Sequence, residues 1–91
     1  MERLKKEMDW GDKEENAIGE IFSKYSEKIS NGEKISWAAF EHELRDTLTI
    51  GYQIVKQIVL SFYRNNEYLD VCKGYAAQHD VIEFKEINKK Q

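Results

Sequence analysis

Through the first two thirds of the chain, apolar residues return every three to four positions. Ile18, Ile21, Phe22, Tyr25 and Ile29 fall on one face, which predicts a helix over Asp12–Asn31. Asp12 and Glu15 stand in capping-box register at its start, and Gly32 suits a left-handed cap at its end. Ser36 caps a second predicted helix, from Trp37 to about Thr47, with Ile35 and Phe40 as a hydrophobic staple. In it Trp37, Phe40, Leu44 and Leu48 point inward, and Glu41, His42, Arg45 and Asp46 outward. Thr49-Ile50-Gly51 reads as a turn. A third helix then spans Tyr52–Arg64, with Ile54, Val55, Ile58, Val59 and Phe62 inward and Gln53, Lys56, Gln57, Leu60 and Arg64 outward. Asn65-Asn66 stops it.

Beyond this point the period changes. Leu69 and Val71 alternate with Tyr68 and Asp70 over Glu67–Cys72, and Ile82 and Phe84 alternate with Glu83 and Lys85 over Val81–Ile87. Two such runs around a polar segment, Lys73–Asp80, predict a β-hairpin. At the other end, Leu4 and Met8 share one face of a short helix, with Trp10 following. Met1–Gly11 is read either as a frayed terminus or as an arm packing on the domain or on a second copy. Gly19 costs stability inside a helix, and a close approach by another element would explain it. The expected organisation is an arm (1–11), one domain (12–87) and a basic tail (88–91). Its core is expected to hold Ile21, Phe22, Phe40, Leu44, Val55, Ile58, Val59, Phe62, Leu69 and Phe84.

The order helix, short extended link, helix, turn, helix, hairpin resembles the winged-helix branch of the helix-turn-helix proteins. The residues that carry the likeness are Leu44 and Leu48 before the turn, Ile50 in it, Val55, Ile58, Val59 and Phe62 after it, and Leu69 leading into the wing. The resemblance implies a mainly helical α+β fold, a three-helix core with a C-terminal β-hairpin wing. It also implies a third helix able to enter a DNA major groove while the wing touches backbone or minor groove. Winged helices serve as protein-binding modules too, so fold alone leaves both uses open.

Composition adjusts this picture. The chain has 91 residues, suited to one small domain, with 41% hydrophobic and 34% charged residues and a net charge of −3. Free-standing DNA binders are usually basic, because phosphate neutralisation drives their affinity. Positive charge is nevertheless local: Tyr52–Asn66 carries Lys56 and Arg64 and no acid, whereas Ser36–Gly51 sums to −2. Cys72 is the one cysteine, which excludes a disulfide within the chain and fits a reducing, cytoplasmic setting. No run of about 18 apolar residues predicts a membrane span. His42 and His79 are the two histidines, and neither zinc-ligand spacing nor a glycine-rich phosphate loop occurs. A Cys72–His79 pair lacks a third group, and Cys72 reads better as a small packing residue. No enzyme activity, cofactor or metal is expected.

Two functional readings follow. In the first, the protein binds double-stranded DNA as a transcriptional regulator. Tyr52, Gln53, Lys56, Gln57 and Arg64 contact bases and phosphates from the third helix, and Lys73, Tyr75, Gln78 and His79 contact backbone from the wing. A single copy with so few cations would bind weakly, so a homodimer is expected, with Leu4, Met8, Trp10 and exposed Leu60 as candidate interface residues. In the second, the same surfaces grip a larger protein, and the chain is an accessory subunit of a replication, transcription or other nucleic-acid complex. Acidity and Leu60 favour the second reading, the third-helix pattern the first. Either face is otherwise an ordinary solvated one.

Overall fold

The structure, a computed structural model, describes residues 2–79 and 84–88. Among these every element is helical: α1 (Glu2–Met8), α2 (Asp12–Ser30), α3 (Trp37–Leu48), α4 (Tyr52–Arg64), α5 (Leu69–Ala77) and α6 (Lys85–Asn88).

Local signals place the first long helices where the periodicity does. Gly32 closes α2 in the left-handed region at φ 76°, a conformation open to a residue without Cβ. Ser36 accepts a hydrogen bond from the Ala39 N–H at 3.3 Å and opens α3. Thr49 ends α3 at φ 54°, and Gly51 opens α4. A β-branched residue in that region is strained, and the corner holds it there because Thr49 and Ile50 both donate their N–H groups to the Arg45 carbonyl. The start of α2 lies one residue earlier than the expected box. Gly11 is the N-cap, and its N–H donates to the Glu14 carboxylate at 2.8 Å. That bond holds the exposed Glu14 carboxyl below the usual carboxylate range.

No wing is present among the described residues. Leu69 and Val71, expected in a strand, begin α5, so the α+β winged-helix expectation gives way to an all-helical fold among the described residues. Of the second expected strand, 81–83 lie outside the described residues, while Lys85–Asn88 is α6. The reason is visible in the burial: Val71, Cys72, Tyr75 and Ala76 are all inside, which is a helical repeat of adjacent pairs four apart. α5 packs against α2, α4 and α6, so the segment expected at the periphery lies in the middle of the fold.

Nine of the ten expected core residues are buried, and Leu69 is half-exposed. Their aromatic members form a connected set. The Phe22 ring lies 5.2 Å from Phe40 and 4.4 Å from Phe62, and Phe40 lies 5.4 Å from Tyr75, joining α2, α3, α4 and α5. Polar contacts fasten the same helices at their edges. Ser26 donates to Asp70 at 2.8 Å, and Glu43 of α3 accepts from both Lys24 and Tyr25 of α2. Partial burial alone would raise the Glu43 pKa, but those two donors, with Lys24 and Lys28 as nearby charges, hold it low. Tyr25, desolvated and bonded to that carboxylate, titrates well above an ordinary tyrosine.

The segment expected as an arm folds back. Leu4 is buried, and Lys5 pairs with Glu15 of α2 at 2.9 Å. Gly19 has no heavy atom within 4 Å of where a Cβ would stand, so the expected close approach is absent there. It occurs instead at Gly74 of α5, against the Trp37 ring.

Candidate interaction surface

On α4 the apolar arc is wider than residue types alone suggest. Lys56 is 4% exposed, and its ammonium lies 4.7 Å from the centre of the Tyr52 ring. A cation over an aromatic face is stabilised by the ring quadrupole, more so when desolvated. Leu60, expected outward, is buried, and it lines a groove between α1 and α4 together with Leu4, Arg3, Glu7, Gln57 and Arg64. Of the expected DNA-contacting residues on this helix, Gln53, Gln57 and Arg64 are exposed, Tyr52 is half-buried and Lys56 is buried. Gln53, Gln57 and Arg64 fall on one side of the helix, four and seven residues apart.

The residues assigned to a wing are on α5 and just beyond it. Lys73 and Gln78 are exposed. Tyr75 is fully buried, and its hydroxyl donates to Glu41 at 2.6 Å. Burial and that carboxylate push its pKa far above the tyrosine norm, so it stays a neutral donor. His79 is half-buried, with its ring 4.2 Å from Tyr75 and 5.9 Å from Tyr52. Its Nδ1 lies 2.9 Å from the Tyr75 carbonyl, and because a carbonyl only accepts, Nδ1 carries the proton. The structure therefore brings Tyr52, Lys56, Tyr75 and His79 together. They make a packed seam between α4 and the end of α5.

The candidate interface residues divide likewise. Leu4 and Leu60 are spent on the internal contact of α1, while Met8 and Trp10 remain half-exposed.

Three half-exposed aliphatic residues were not singled out by the outward pattern: Leu48 and Ile50 at the α3–α4 corner, and Ile54 in the first turn of α4. Their neighbourhood has a property legible in the sequence. From Thr47 to Tyr63, seventeen residues in a chain that is 34% charged, Lys56 is the one side chain charged at neutral pH. Since Lys56 is buried, this stretch itself adds no charge to the surface: Thr47, Thr49, Gly51, Gln53 and Gln57 are exposed and Leu48, Ile50, Tyr52, Ile54, Ser61 and Tyr63 half-exposed, between Asp46 at one end and Arg64 at the other, with Arg3 and Glu7 of α1 across the groove from Gln57.

Among the described residues, no three His, Cys, Asp or Glu side chains are grouped to hold a metal ion, and no helix is long and apolar enough to cross a membrane. Cys72 is buried, and its thiol lies 3.4 Å from the Val59 carbonyl. The thiol faces the Val59 and Glu67 carbonyls, whereas the His79 ring, beyond the end of α5, packs on Tyr75 and Tyr52, so the two side chains have different neighbours. Burial, with the Asp70 charge adding to it, pushes the Cys72 thiol up to about 12. A raised folded pKa leaves its stability contribution intact below the unfolded value, near 9.0, and removes it as pH rises from there through about 12. At about pH 8 a water-soluble disulfide reagent should accordingly label Cys72 slowly in the native protein and at once in urea. Rapid stoichiometric labelling of the folded chain would show that this thiol is not enclosed.

No protein-family model, no curated protein and no solved structure matches the chain.

Proposed function

We propose that the protein is a protein-interaction module that docks through the outward side of α4 and the α3–α4 corner. The observation that supports this reading is that the stretch from Thr47 to Tyr63 adds no charge to that surface in an otherwise highly charged chain, Arg3 and Glu7 of α1 bordering it across the groove. Centres of protein interfaces are depleted in Lys, Glu and Asp, because each charge brought there must be desolvated. Duplex DNA asks for the opposite: cations in register with phosphates, since counterion release supplies the affinity. The α4 surface offers amides and aliphatic groups with one guanidinium at its end, and Lys56 is committed to Tyr52.

Two measurements separate these partner classes. A photo-crosslinking side chain placed at Gln57 should give a discrete protein adduct in the native host extract, one that is lost with Ile54→Glu, whereas the same group at Glu20 on α2 should not. In parallel, the purified chain should leave mixed duplex DNA unshifted at about 50 mM salt, where phosphate-driven binding is strong. Tight, salt-sensitive DNA binding that is lost with Arg64→Ala would overturn the proposal.

A further inference from the structure

Resting on that reading, we infer that the occupant of the α4 surface is an acidic segment of another protein, whose carboxylates enter the groove between α1 and α4 against Arg3 and Arg64. The argument is one of charge complementarity. The groove offers a ligand the guanidinium groups of Arg3 and Arg64, the Gln57 amide, the Ser61 hydroxyl and the Glu7 carboxylate. All of these but Glu7 can donate a hydrogen bond. Two cations and one anion leave the lining at +1, on a chain whose sum is −3. Glu7 does not close on the fork of Arg3. Its nearest approach is to Nε, at 3.6 Å, and the two side chains are 58% and 94% exposed. A pair so open to water contributes little, and the terminal N–H groups of the guanidinium remain presentable to a second carboxylate. Arginine suits that role, because its guanidinium is weakly hydrated and takes a carboxylate through two parallel bonds.

The axis of α4 gives the occupant a direction. Ile54, Gln57, Ser61 and Arg64 follow one another at spacings of three, four and three, one stripe along the helix. The stripe runs from half-exposed Ile54, beside Ile50 and the α3–α4 corner, through two neutral polar groups to an exposed cation. A complementary segment is therefore apolar at the end that covers Ile54 and acidic at the end that reaches Arg64. Asp46, exposed at the corner, repels the acidic end from the wrong side. The same spacing argues for carboxylates over nucleic-acid phosphates. A peptide can set its acids against the arginines and present none to Glu7 or Asp46, whereas a nucleic-acid backbone brings charge to every position.

The test uses a pair of fluorescein-labelled peptides that share an apolar half of leucine and alanine. The other half is rich in glutamate in one and in lysine in its counterpart. Each is titrated with the full chain and followed by anisotropy. At about 50 mM salt the glutamate peptide should bind at least about tenfold more tightly than the lysine peptide, and about 0.3 M salt should remove most of the difference. Arg3→Ala and Arg64→Ala, with the fold checked by circular dichroism, should each weaken the glutamate peptide about threefold, as contacts at a solvated rim do. Glu7→Gln should tighten it about threefold, a gain that a damaged fold would not give. Equal binding of both peptides, no binding of the glutamate peptide at about 1 mM chain, or a loss with Glu7→Gln would overturn the inference. So would a single-stranded oligothymidylate of equal charge that displaces the peptide, since the groove would then be a phosphate site. The cross-link at Gln57 keeps this inference apart from the reading it rests on. An adduct that survives Arg3→Glu combined with Arg64→Glu ends the acidic-partner inference and leaves the interaction module standing, and no adduct ends both.

Discussion

Phe40→Ala should destabilise the protein by about 3–5 kcal/mol, the range for truncating a large aromatic side chain in a closed core. The expectation rests on position. Phe40 is fully buried, and its ring centre lies 5.1–5.5 Å from four others: Phe22 and Tyr25 on α2, Trp37 on α3 and Tyr75 on α5. Removing it leaves a void at the junction of three helices, and aromatic rings cannot collapse into such a space without leaving their rotamers. Domains of this size have only about 5–15 kcal/mol in hand, so the variant should melt at least about 12 °C lower. Phe62→Ala should cost less than Phe40→Ala. Its ring packs on Phe22 and Tyr68 at 4.4 and 5.3 Å but keeps 8% of its surface in solvent, so the site can relax outward. Urea unfolding of the two variants beside His42→Ala, an exposed control on the same helix as Phe40, gives the order directly. A loss at Phe40 no larger than the control's would mean that the aromatic cluster is not the centre of the core.

How much of this was legible beforehand depended on segment length and on reading positions rather than residue types. α2, α3 and α4 carry periods long enough to fix the helix, and Gly32, Ser36 and Gly51 mark their ends. α5 was lost because its buried face, Val71, Cys72, Tyr75 and Ala76, mixes two small residues with a tyrosine, so hydropathy hardly registers it. The six residues Glu67–Cys72 are too few to separate a period of two from one of 3.6. Tyr68 adds to the difficulty. It enters α5 at φ 51°, where none of the usual capping residues announces a helix. On α4 the error was of another kind. Lys56 was assigned outward because lysine is usually exposed, yet its neighbours at −4, +3 and +4 are Tyr52, Val59 and Leu60. Its position lies inside the apolar arc, and its aliphatic stem packs there while the ammonium finds Tyr52. The candidate surface was half legible. The lack of acids on α4 was plain, but its meaning changed once the two basic residues separated, Lys56 into the seam and Arg64 to the edge.

The two helix-interior glycines should respond in opposite directions to the same substitution. Gly19→Ala should stabilise the protein by about 0.5–1 kcal/mol, because alanine gives up less backbone entropy in a helix and a Cβ at that point meets nothing within 4 Å. Gly74→Ala gains the same propensity and should still lose about 1–3 kcal/mol, the usual cost of forcing extra volume into a packed contact. A Cβ there would stand 2.3 Å from Cζ2 of Trp37 and 2.9 Å from Cη2. Either the indole swings away from Tyr75 and Phe40, its edge-on neighbours at 6.2 and 5.5 Å, or α5 backs off from α3. Both movements loosen the same cluster that makes Phe40 costly. In a Trp10→Phe background, where Trp37 is the sole tryptophan, the Gly74→Ala variant should show red-shifted emission as the indole gains water. The cause can be isolated with a cycle: in Trp37→Leu, which lacks the indole, Gly74→Ala should become neutral or stabilising, a coupling of about 1 kcal/mol or more between the two sites. If Gly74→Ala is as benign as Gly19→Ala with Trp37 in place, then α5 does not lie against the indole, and the central position of that helix would have to be given up with it.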